Sequence, residues 1–264
     1  MPAAGQGTLH SAAGSIWKGC AEMDYLMSQP QFNPKNTEIM RQMHDFAEID
    51  ITENEFIDLL EVSMMPIQQF FTYYKCAIME IETKFKVLNE QFSLNGESNP
   101  IEFIQSRIKS YGSILRKISD KDIQRSLDGI ETHIHDVAGI RVVCSFVQDI
   151  YRLADCFLQQ DDITLLERKD YIQNPKPNGY RSLHLIVAVP IFLENEKRLV
   201  KAEVQLRTLA MDFWASLEHK LRYKKNLPPE SLSALSDDLK RCADESARWD
   251  AKMQEIRNQI QDHT

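Results

Sequence analysis

Segment 199–207 constrains the fold most, because its side chains change character at every second residue. Val200, Ala202, Val204 and Leu206 fall on one side of an extended chain, and Lys201, Glu203, Gln205 and Arg207 fall on the other. A period of two is typical of a β-strand with one buried face. In one interpretation the polar face lies in water, as in many antiparallel strands. In the other, four long polar side chains form the floor of a cleft. Both interpretations require a sheet.

Further strands and helices follow from the apolar pattern. We expect strands over 140–146, 163–166 and 183–189, where apolar residues run together. Apolar residues at steps of three and four predict a long helix from Thr52 to about Leu88, which Pro66 is expected to kink or restart. The same spacing predicts helices over 101–118 (after Asn99-Pro100), 121–127 (capped by Asp120), 149–159, 211–225 (capped by Thr208) and 233–260.

Composition excludes several classes of protein. The chain has 264 residues and a formal charge of -8, which does not favour general binding to a nucleic-acid backbone. Its five cysteines are far apart, so neither a disulfide framework nor a zinc site is indicated, and we expect Cys144 and Cys156 to be buried.

No apolar run approaches the roughly 20 residues of a membrane span, and no signal peptide is evident, so we expect a cytoplasmic protein. Residues 1–50 show no sustained apolar period and are expected to form a poorly ordered leader, before a domain over 51–264.

The segment 169–184 combines turn residues with cations. It contains two prolines, two asparagines and a glycine, and it leads directly into the strand predicted at 183–189. Lys176, Asn178, Tyr180 and Arg181 supply cations for phosphate, an amide for a base edge and a ring for stacking. We therefore expect a nucleotide-binding loop, with a basic surface hairpin as the alternative.

Asp136 precedes the strand predicted at 140–146 and is close to Gly139. A carboxylate at a strand edge is a common ligand position for magnesium, which prefers oxygen ligands. His135-Asp136 also raises the possibility of a metal phosphohydrolase, but one such pair cannot fill a coordination shell.

Five motifs together resemble the synthetase domain of the RelA/SpoT family. They are Asp136-Val-Ala-Gly-Ile-Arg141, Lys169-Asp-Tyr-Ile, Asn174-Pro-Lys-Pro-Asn-Gly-Tyr-Arg-Ser-Leu-His184, Glu203-Val-Gln-Leu-Arg207 and Trp214-Ala-Ser-Leu-Glu-His219. The resemblance covers about residues 55–260 and is to the stand-alone small alarmone synthetases. It implies an α/β (α+β) fold like that of nucleotidyltransferases: a mixed, mostly antiparallel sheet flanked by helices, with long terminal helices.

The resemblance also implies a reaction. The family transfers the β,γ-pyrophosphate of ATP to the 3′-hydroxyl of GTP or GDP and leaves AMP. Glu203 matches the family's catalytic carboxylate, and Asp136 matches its magnesium ligand, with Glu203 able to share the ion. A catalytically inactive nucleotide sensor or RNA-binding module is the alternative. A general nucleotidyltransferase is less favoured, because no Asp-x-Asp or Asp-x-Glu occurs near Asp136.

Substrate contacts are implied in the same way. The family's ATP-binding residues correspond to Arg107, Lys109, Ser113, Arg141 and Lys169, the first three within the predicted helix 101–118. The acceptor-binding residues correspond to Lys176, Asn178, Tyr180, Arg181, His184 and Gln205, with Tyr180 as the ring that stacks on guanine. The resemblance does not decide which of GTP, GDP and GMP is the preferred acceptor. It also leaves open whether an alarmone or RNA regulates the protein. It implies a homotetramer, which fits the apolar stripe of the predicted final helix.

Overall fold

The structure, a computed structural model, describes residues 53–94, 99–222 and 229–263. The leader predicted over 1–50 therefore lies outside the described residues. The chain divides into two units, Met1–Phe71 with Ser110–Arg116 and Thr72–Lys109 with Lys117–Thr264. In the described part of the first unit, the Phe70 and Phe71 rings meet edge to face, 5.4 Å between centroids. The second unit contains the sheet.

The described residues form six helices and five strands. The helices are α1 (Glu53–Leu94), α2 (Tyr111–Asp120), α3 (Leu127–His133), α4 (Val147–Leu158), α5 (Leu209–Arg222) and α6 (Pro229–Gln261). The strands are β1 (Ile101–Ile108), β2 (Ala138–Cys144), β3 (Thr164–Asp170), β4 (Leu183–Phe192) and β5 (Lys197–Thr208). The long first and last helices are confirmed. None of the described helices is both long and apolar enough to cross a membrane.

The sheet has the strand order β1-β2-β5-β4-β3. β2 and β5 run parallel, while β1–β2, β5–β4 and β4–β3 are antiparallel pairs. The predicted mixed, mostly antiparallel sheet is therefore confirmed. One consequence is that the alternating strand β5 lies at the centre of the sheet, between β2 and β4.

The core lies on the apolar face of this sheet. Ile140, Val142, Val204 and Leu206 are at most 1% exposed, and α4 contacts both β2 and β5. In the second unit, Phe85 of α1 stacks on Phe157 of α4, with ring centroids 4.6 Å apart and both side chains fully buried. Cys144 is buried as expected, but Cys156 is only half-buried, so its predicted burial is wrong.

Two local predictions are wrong, and a third is narrowed. Residues 101–108 form strand β1, and only Tyr111–Asp120 of the predicted helix 101–118 is helical. The short helix occupies Leu127–His133 instead of 121–127, and its cap is Ser126, whose hydroxyl accepts from Gly129 N at 3.0 Å. Of the two effects expected of Pro66, a restart is excluded because helix α1 continues through that residue, and a kink stays a prediction. By contrast, the Thr208 cap is confirmed, because its Oγ1 accepts from Met211 N at 3.1 Å.

Candidate active site

The strand register brings polar residues into one row across all five strands. Gln105 lies opposite Arg141, Arg141 opposite Gln205, Gln205 opposite His184, and His184 opposite Lys169. Because hydrogen-bonded neighbours share a face and strands lie about 4.8 Å apart, these side chains form a continuous surface. Four of the five were predicted as site residues from their motifs. The cleft interpretation of the alternating strand therefore fits the structure better than a solvated face.

A second row on the same face contains Glu203. Its register partner on β2 is Gly139, which in turn lies opposite Arg107 of β1. A Cβ added at Gly139 would lie 3.7 Å from Cγ and 3.9 Å from Nε of Arg107. The Arg107 side chain therefore lies over the glycine. Arg107 belongs to a strand rather than to the predicted helix, and this is what places it on the polar face.

Glu203 is held as a carboxylate by two neighbours. Its Oε1 lies 3.1 Å from His184 Nδ1, and its Oε2 accepts from Gln205 Nε2 at 2.7 Å. Burial alone would raise the pKa of Glu203, but the His184 hydrogen bond and charge, with the Gln205 hydrogen bond, outweigh burial and lower it. Glu203 is therefore ionised at neutral pH.

The hydrogen-bond network fixes the roles of the neighbouring groups. Because an ionised Glu203 can only accept, His184 Nδ1 carries the proton. The other ring nitrogen, Nε2, lies 2.8 Å from the Tyr180 hydroxyl oxygen. The Tyr180 oxygen in turn accepts from Arg207 NH2 at 2.5 Å. The predicted guanine-stacking ring is thus connected to the predicted catalytic carboxylate through one histidine.

Asp136 precedes β2 and contacts two lysines. Lys109 Nζ donates to Oδ2 at 2.8 Å and Lys117 Nζ to Oδ1 at 2.7 Å. Burial would raise the pKa of Asp136, but the hydrogen bonds and charges of the two lysines outweigh it and lower the pKa. Sequence reasoning missed Lys117. Its signal was its position on the polar side of a predicted helix, which solvation explains equally well.

Asp212 is a second residue that sequence reasoning missed. It lies in the first turn of α5, and its Oδ1 forms ion pairs with Arg141 NH1 at 3.1 Å and Arg207 NH1 at 3.2 Å. Arg207 also donates to Gln205 Oε1 at 2.8 Å. An acidic residue in a first helical turn is common, so the sequence carried no specific signal for this role.

The loop between β3 and β4 surrounds the Tyr180 ring. Lys176 Nζ lies 4.5 Å from the centroid of Tyr171 and 5.0 Å from that of Tyr180. Asn178 Oδ1 accepts from Tyr180 N at 3.2 Å, and its Nδ2 donates to Glu218 Oε1 at 3.3 Å. The prediction that Asn178 binds the acceptor stays a prediction, but the structure gives it a second role in shaping the loop.

Three predicted residues are not joined to this network by the contacts described. Arg181 donates to Ala243 O at 3.0 Å and contacts Asp244 at 3.2 Å, both on α6. Lys169 is 41% exposed and contacts Glu167 at 2.8 Å, a hydrogen bond that raises the pKa of Lys169. Ser113 lies in the first unit, where its hydroxyl lies 2.9 Å from that of Ser110. Their predicted substrate contacts stay predictions.

The carboxylates on the polar face fit a metal shared with a substrate. Among the residues that the structure describes, no group of three histidine, cysteine or acidic side chains could hold a metal ion. Magnesium is commonly bound by one or two carboxylates together with substrate phosphates, which is what Asp136 and Glu203 could provide. His135 Nε2 lies 2.9 Å from Thr132 O, a contact that engages one of its two ring nitrogens.

A polar face with ionised carboxylates among arginines and lysines provides what phosphoryl-group transfer requires, since that chemistry depends on positioning and charge stabilisation.

Comparison with known proteins identifies the family of the chain. The family described as "Region found in RelA / SpoT proteins" matches residues 106–227. The chain is 43% identical over 206 residues to the GTP pyrophosphokinase YwaC of Bacillus subtilis, covering 77% of this chain and 96% of the relative. The chain belongs to the RelA/SpoT family, as its motifs indicated.

Other relatives agree with this assignment. The GTP pyrophosphokinase YjbM of Bacillus subtilis is 36% identical over 197 residues, covering 74% of this chain and 90% of the relative. The crystal structure of small alarmone synthetase 2 from Bacillus subtilis has a TM-score of 0.64 at 44% identity, covering 73% of this chain and 97% of that one. Small alarmone synthetase 1 from the same organism, bound to its product pppGpp, has a TM-score of 0.67 at 35% identity, covering 74% and 98%.

Proposed function

We propose that the chain is a GTP pyrophosphokinase, which transfers the β,γ-pyrophosphate of ATP to the 3′-hydroxyl of GTP or GDP and forms pppGpp or ppGpp. YwaC and YjbM carry this activity in their names, and a solved relative is bound to pppGpp. The observation that carries the proposal is the ionised Glu203, held on the polar face between His184 and Gln205.

Glu203 supplies the proton acceptor. The acceptor's 3′-oxygen attacks the β-phosphorus of ATP, the bond from the α–β bridging oxygen to that phosphorus breaks, and AMP leaves. The hydroxyl proton passes to a Glu203 carboxylate oxygen. Because the pKa of Glu203 is lowered, this residue is a weak base, and its main contribution is to orient the hydroxyl and stabilise the transferred proton.

The cations of the polar face serve ATP. Arg107 and Arg141 are proposed to stack on adenine, since guanidinium planes stack on flat rings. Lys109 and Lys117 bring two positive charges beside Asp136, where the phosphates are proposed to lie. Asp136 and Glu203 would hold a magnesium ion, which offsets the negative charge of the transferred group. Ser113 and Lys169 are proposed as further ATP contacts.

The loop between β3 and β4 serves the acceptor. Tyr180 provides the surface for guanine, and Lys176, beside that ring, provides a charge for the acceptor phosphates. His184 and Gln205 contact both this loop's network and Glu203, so they can align the acceptor with the catalytic carboxylate. Asn178 and Arg181 complete the proposed acceptor site.

A product assay tests the proposal. The full chain is incubated with magnesium, ATP labelled in its β- and γ-phosphates, and GTP, GDP or GMP in separate reactions, and the products are separated. We expect AMP and a labelled guanosine product with GTP and GDP, while the result with GMP defines the acceptor range. Glu203→Gln is expected to lose transfer and retain nucleotide binding, because the shape is kept and the charge is removed. Binding without product in the unchanged chain would favour the nucleotide sensor instead.

We also propose that the protein is a cytoplasmic homotetramer. The apolar stripe of α6 is exposed in the single chain, with Trp249 at 63%, Met253 at 52% and Ile260 at 62%. Side chains of this size are seldom exposed in a row along one helix, which supports contact with another subunit. Regulation by an alarmone or by RNA is left to direct binding measurements.

A further inference from the structure

One oxygen of Asp212 connects two arginines that lie on different strands. Asp212 Oδ1 is 3.1 Å from Arg141 NH1 of β2 and 3.2 Å from Arg207 NH1 of β5. The environment is largely closed to solvent, since the Arg207 side chain is 6% exposed and that of Asp212 15%. Ion pairs in such surroundings are screened little by salt and hold a defined geometry.

The two arginines face different substrates in the proposed reaction. Arg141 is proposed to stack on the adenine of ATP. Arg207 donates to the Tyr180 hydroxyl at 2.5 Å and to Gln205 Oε1 at 2.8 Å, and both of these residues are proposed to bind the acceptor. Gln205 then donates to Glu203. Asp212 therefore stands between the ATP side and the acceptor side of one hydrogen-bonded network.

Asp212 is the carboxylate that the two guanidinium groups share, beside the contacts of Arg207 to Tyr180 and Gln205 and the weaker contact of Arg141 to Gln105 at 3.5 Å. The Nε atoms of both Arg141 and Arg207 are buried and lack a hydrogen-bond partner, so their terminal NH groups set the orientation. Burial, followed by the charge of Arg207, lowers the pKa of Arg141, and Asp212 opposes both effects. Without the carboxylate, two like charges would face each other uncompensated.

We propose that Asp212 is a positioning residue that couples the two substrate sites, so that ATP bound at Arg141 favours the Tyr180 arrangement that binds the guanine nucleotide. The inference rests on the proposed function. Because coupling between two binding events is reciprocal, the acceptor must strengthen ATP binding by the same factor. The role is distinct from catalysis, since Asp212 acts through the arginines and not on the reacting atoms.

The test measures coupling directly. Calorimetry gives the dissociation constant of GTP with and without AMPCPP, in which a methylene group replaces the α–β bridging oxygen so that no transfer occurs. In the unchanged chain AMPCPP is expected to tighten GTP binding. In Asp212→Asn this factor is expected to fall to nearly one, and the KM values for ATP and GTP are both expected to rise roughly tenfold, as is typical of site–site coupling, with a smaller change in kcat. Asp212→Glu, which restores the charge, is expected to recover part of the coupling.

Matched variants separate positioning from general loss of structure. Asp149→Asn breaks a comparable ion pair, Arg257 NH1 to Asp149 Oδ1 at 2.7 Å, between helices α4 and α6 and without contact to Arg141 or Arg207 among the contacts described. It is expected to lower the thermal midpoint without changing the coupling factor. If Asp212→Asn does not fold, Asp212→Ser, which also lacks the charge, is measured in the same way.

The outcomes distinguish the inference from the function it rests on. Absence of product in the unchanged chain contradicts the proposed function, while the calorimetric coupling is still measurable. Product formation with unaltered KM values and unaltered coupling in Asp212→Asn would overturn the role of Asp212 alone. If AMPCPP does not change the dissociation constant of GTP in the unchanged chain, the proposed role of Asp212 is overturned as well.

Discussion

Tyr180 has two separable roles, because its ring and its hydroxyl contact different groups. The ring is proposed to stack on guanine, while the hydroxyl oxygen accepts from Arg207 and lies 2.8 Å from His184 Nε2. Base–aromatic stacking contributes about 1–3 kcal/mol per base, so Tyr180→Ala is expected to raise the KM for GTP or GDP by roughly 5- to 150-fold and that for ATP far less. Steady-state kinetics with each substrate varied in turn provides the measurement. Tyr180→Phe is the control that keeps the ring, and equal effects on both substrates would contradict the stacking role.

The lowered pKa of Glu203 sets the direction of a pH dependence. A carboxyl group whose pKa is lower in the folded than in the unfolded state stabilises the fold above its unfolded value, about 4.3. That contribution is lost as the pH falls through the folded pKa. In a profile of kcat/KM against pH, the decrease on the acid side (the acid limb) that reflects protonation of Glu203 is likewise expected at a pH below the ordinary pKa of a glutamate.

Changing His184 should move this limb. His184→Ala removes the hydrogen bond and charge that lower the pKa of Glu203, so burial, which raises it, is less opposed. The acid limb is therefore expected at higher pH, in profiles of kcat/KM measured at saturating magnesium. His133→Ala is a matched control, because His133 Nδ1 contacts the Gly129 carbonyl on its own helix at 3.0 Å. An unchanged limb in His184→Ala would remove His184 as the cause of the lowered pKa.

At the scale of elements, the loop between β3 and β4 packs closely against α6. Gly179 has a φ of +90°, and a Cβ added there would lie 2.5 Å from Cβ of Ala243. Glycine is therefore required both by its backbone conformation and by close packing. Gly179→Ala is expected to destabilise the fold by about 1–2 kcal/mol through the left-handed backbone alone, and to raise the KM for the acceptor. Thermal unfolding and acceptor kinetics give the two quantities.

A double variant separates the two causes at Gly179. Ala243→Gly in the Gly179→Ala background restores the space but leaves the backbone strain. We expect it to recover part of the lost stability. No recovery of stability would mean that the close packing between loop and helix contributes little to the loss. Full recovery would mean that the backbone strain contributes little.

Strands with a strong internal pattern could be predicted from the sequence, but strand β1 could not. Its isoleucines at 101, 104 and 108 are spaced by three and four residues, which fits a helix as well. As an edge strand, β1 shows little alternation, and Ile101 is the one buried residue along it, at 8% exposed. What makes it a strand is its pairing with β2, more than thirty residues away for most partners. A non-local contact of this kind leaves no periodic signal in the sequence.

The residues of the candidate site also fall into two groups, those that sequence motifs indicate and those that only tertiary contacts reveal. Glu203, Asp136 and Tyr180 belong to motifs, so the resemblance could identify them. Lys117 and Asp212 act through partners that only the tertiary structure brings near. Motifs identify residue types at fixed spacing, whereas an ion pair between two elements depends on how those elements are placed.

At the scale of the whole molecule, the exposed stripe of α6 predicts self-association. Light scattering at micromolar concentration is expected to give the mass of a tetramer. Trp249→Glu places a charge on the 63% exposed apolar position and is expected to lower that mass. Lys252→Glu, an exposed change on the same helix, serves as the control and should leave the mass unchanged. A monomer in the unchanged chain would remove the proposal.

The pairing register of the central strand β5 determines both the polar face and the hydrophobic core. A shift of one residue would turn Glu203 and Arg207 into the core and Val204 and Leu206 into water, since successive side chains point to opposite faces. Such a chain would lose its nucleotide-binding face and its hydrophobic core together. Misassembled molecules would then be removed by aggregation or proteolysis rather than accumulate as stable decoys that sequester GTP and ATP. A register shift in β5 would therefore remove activity and soluble protein together.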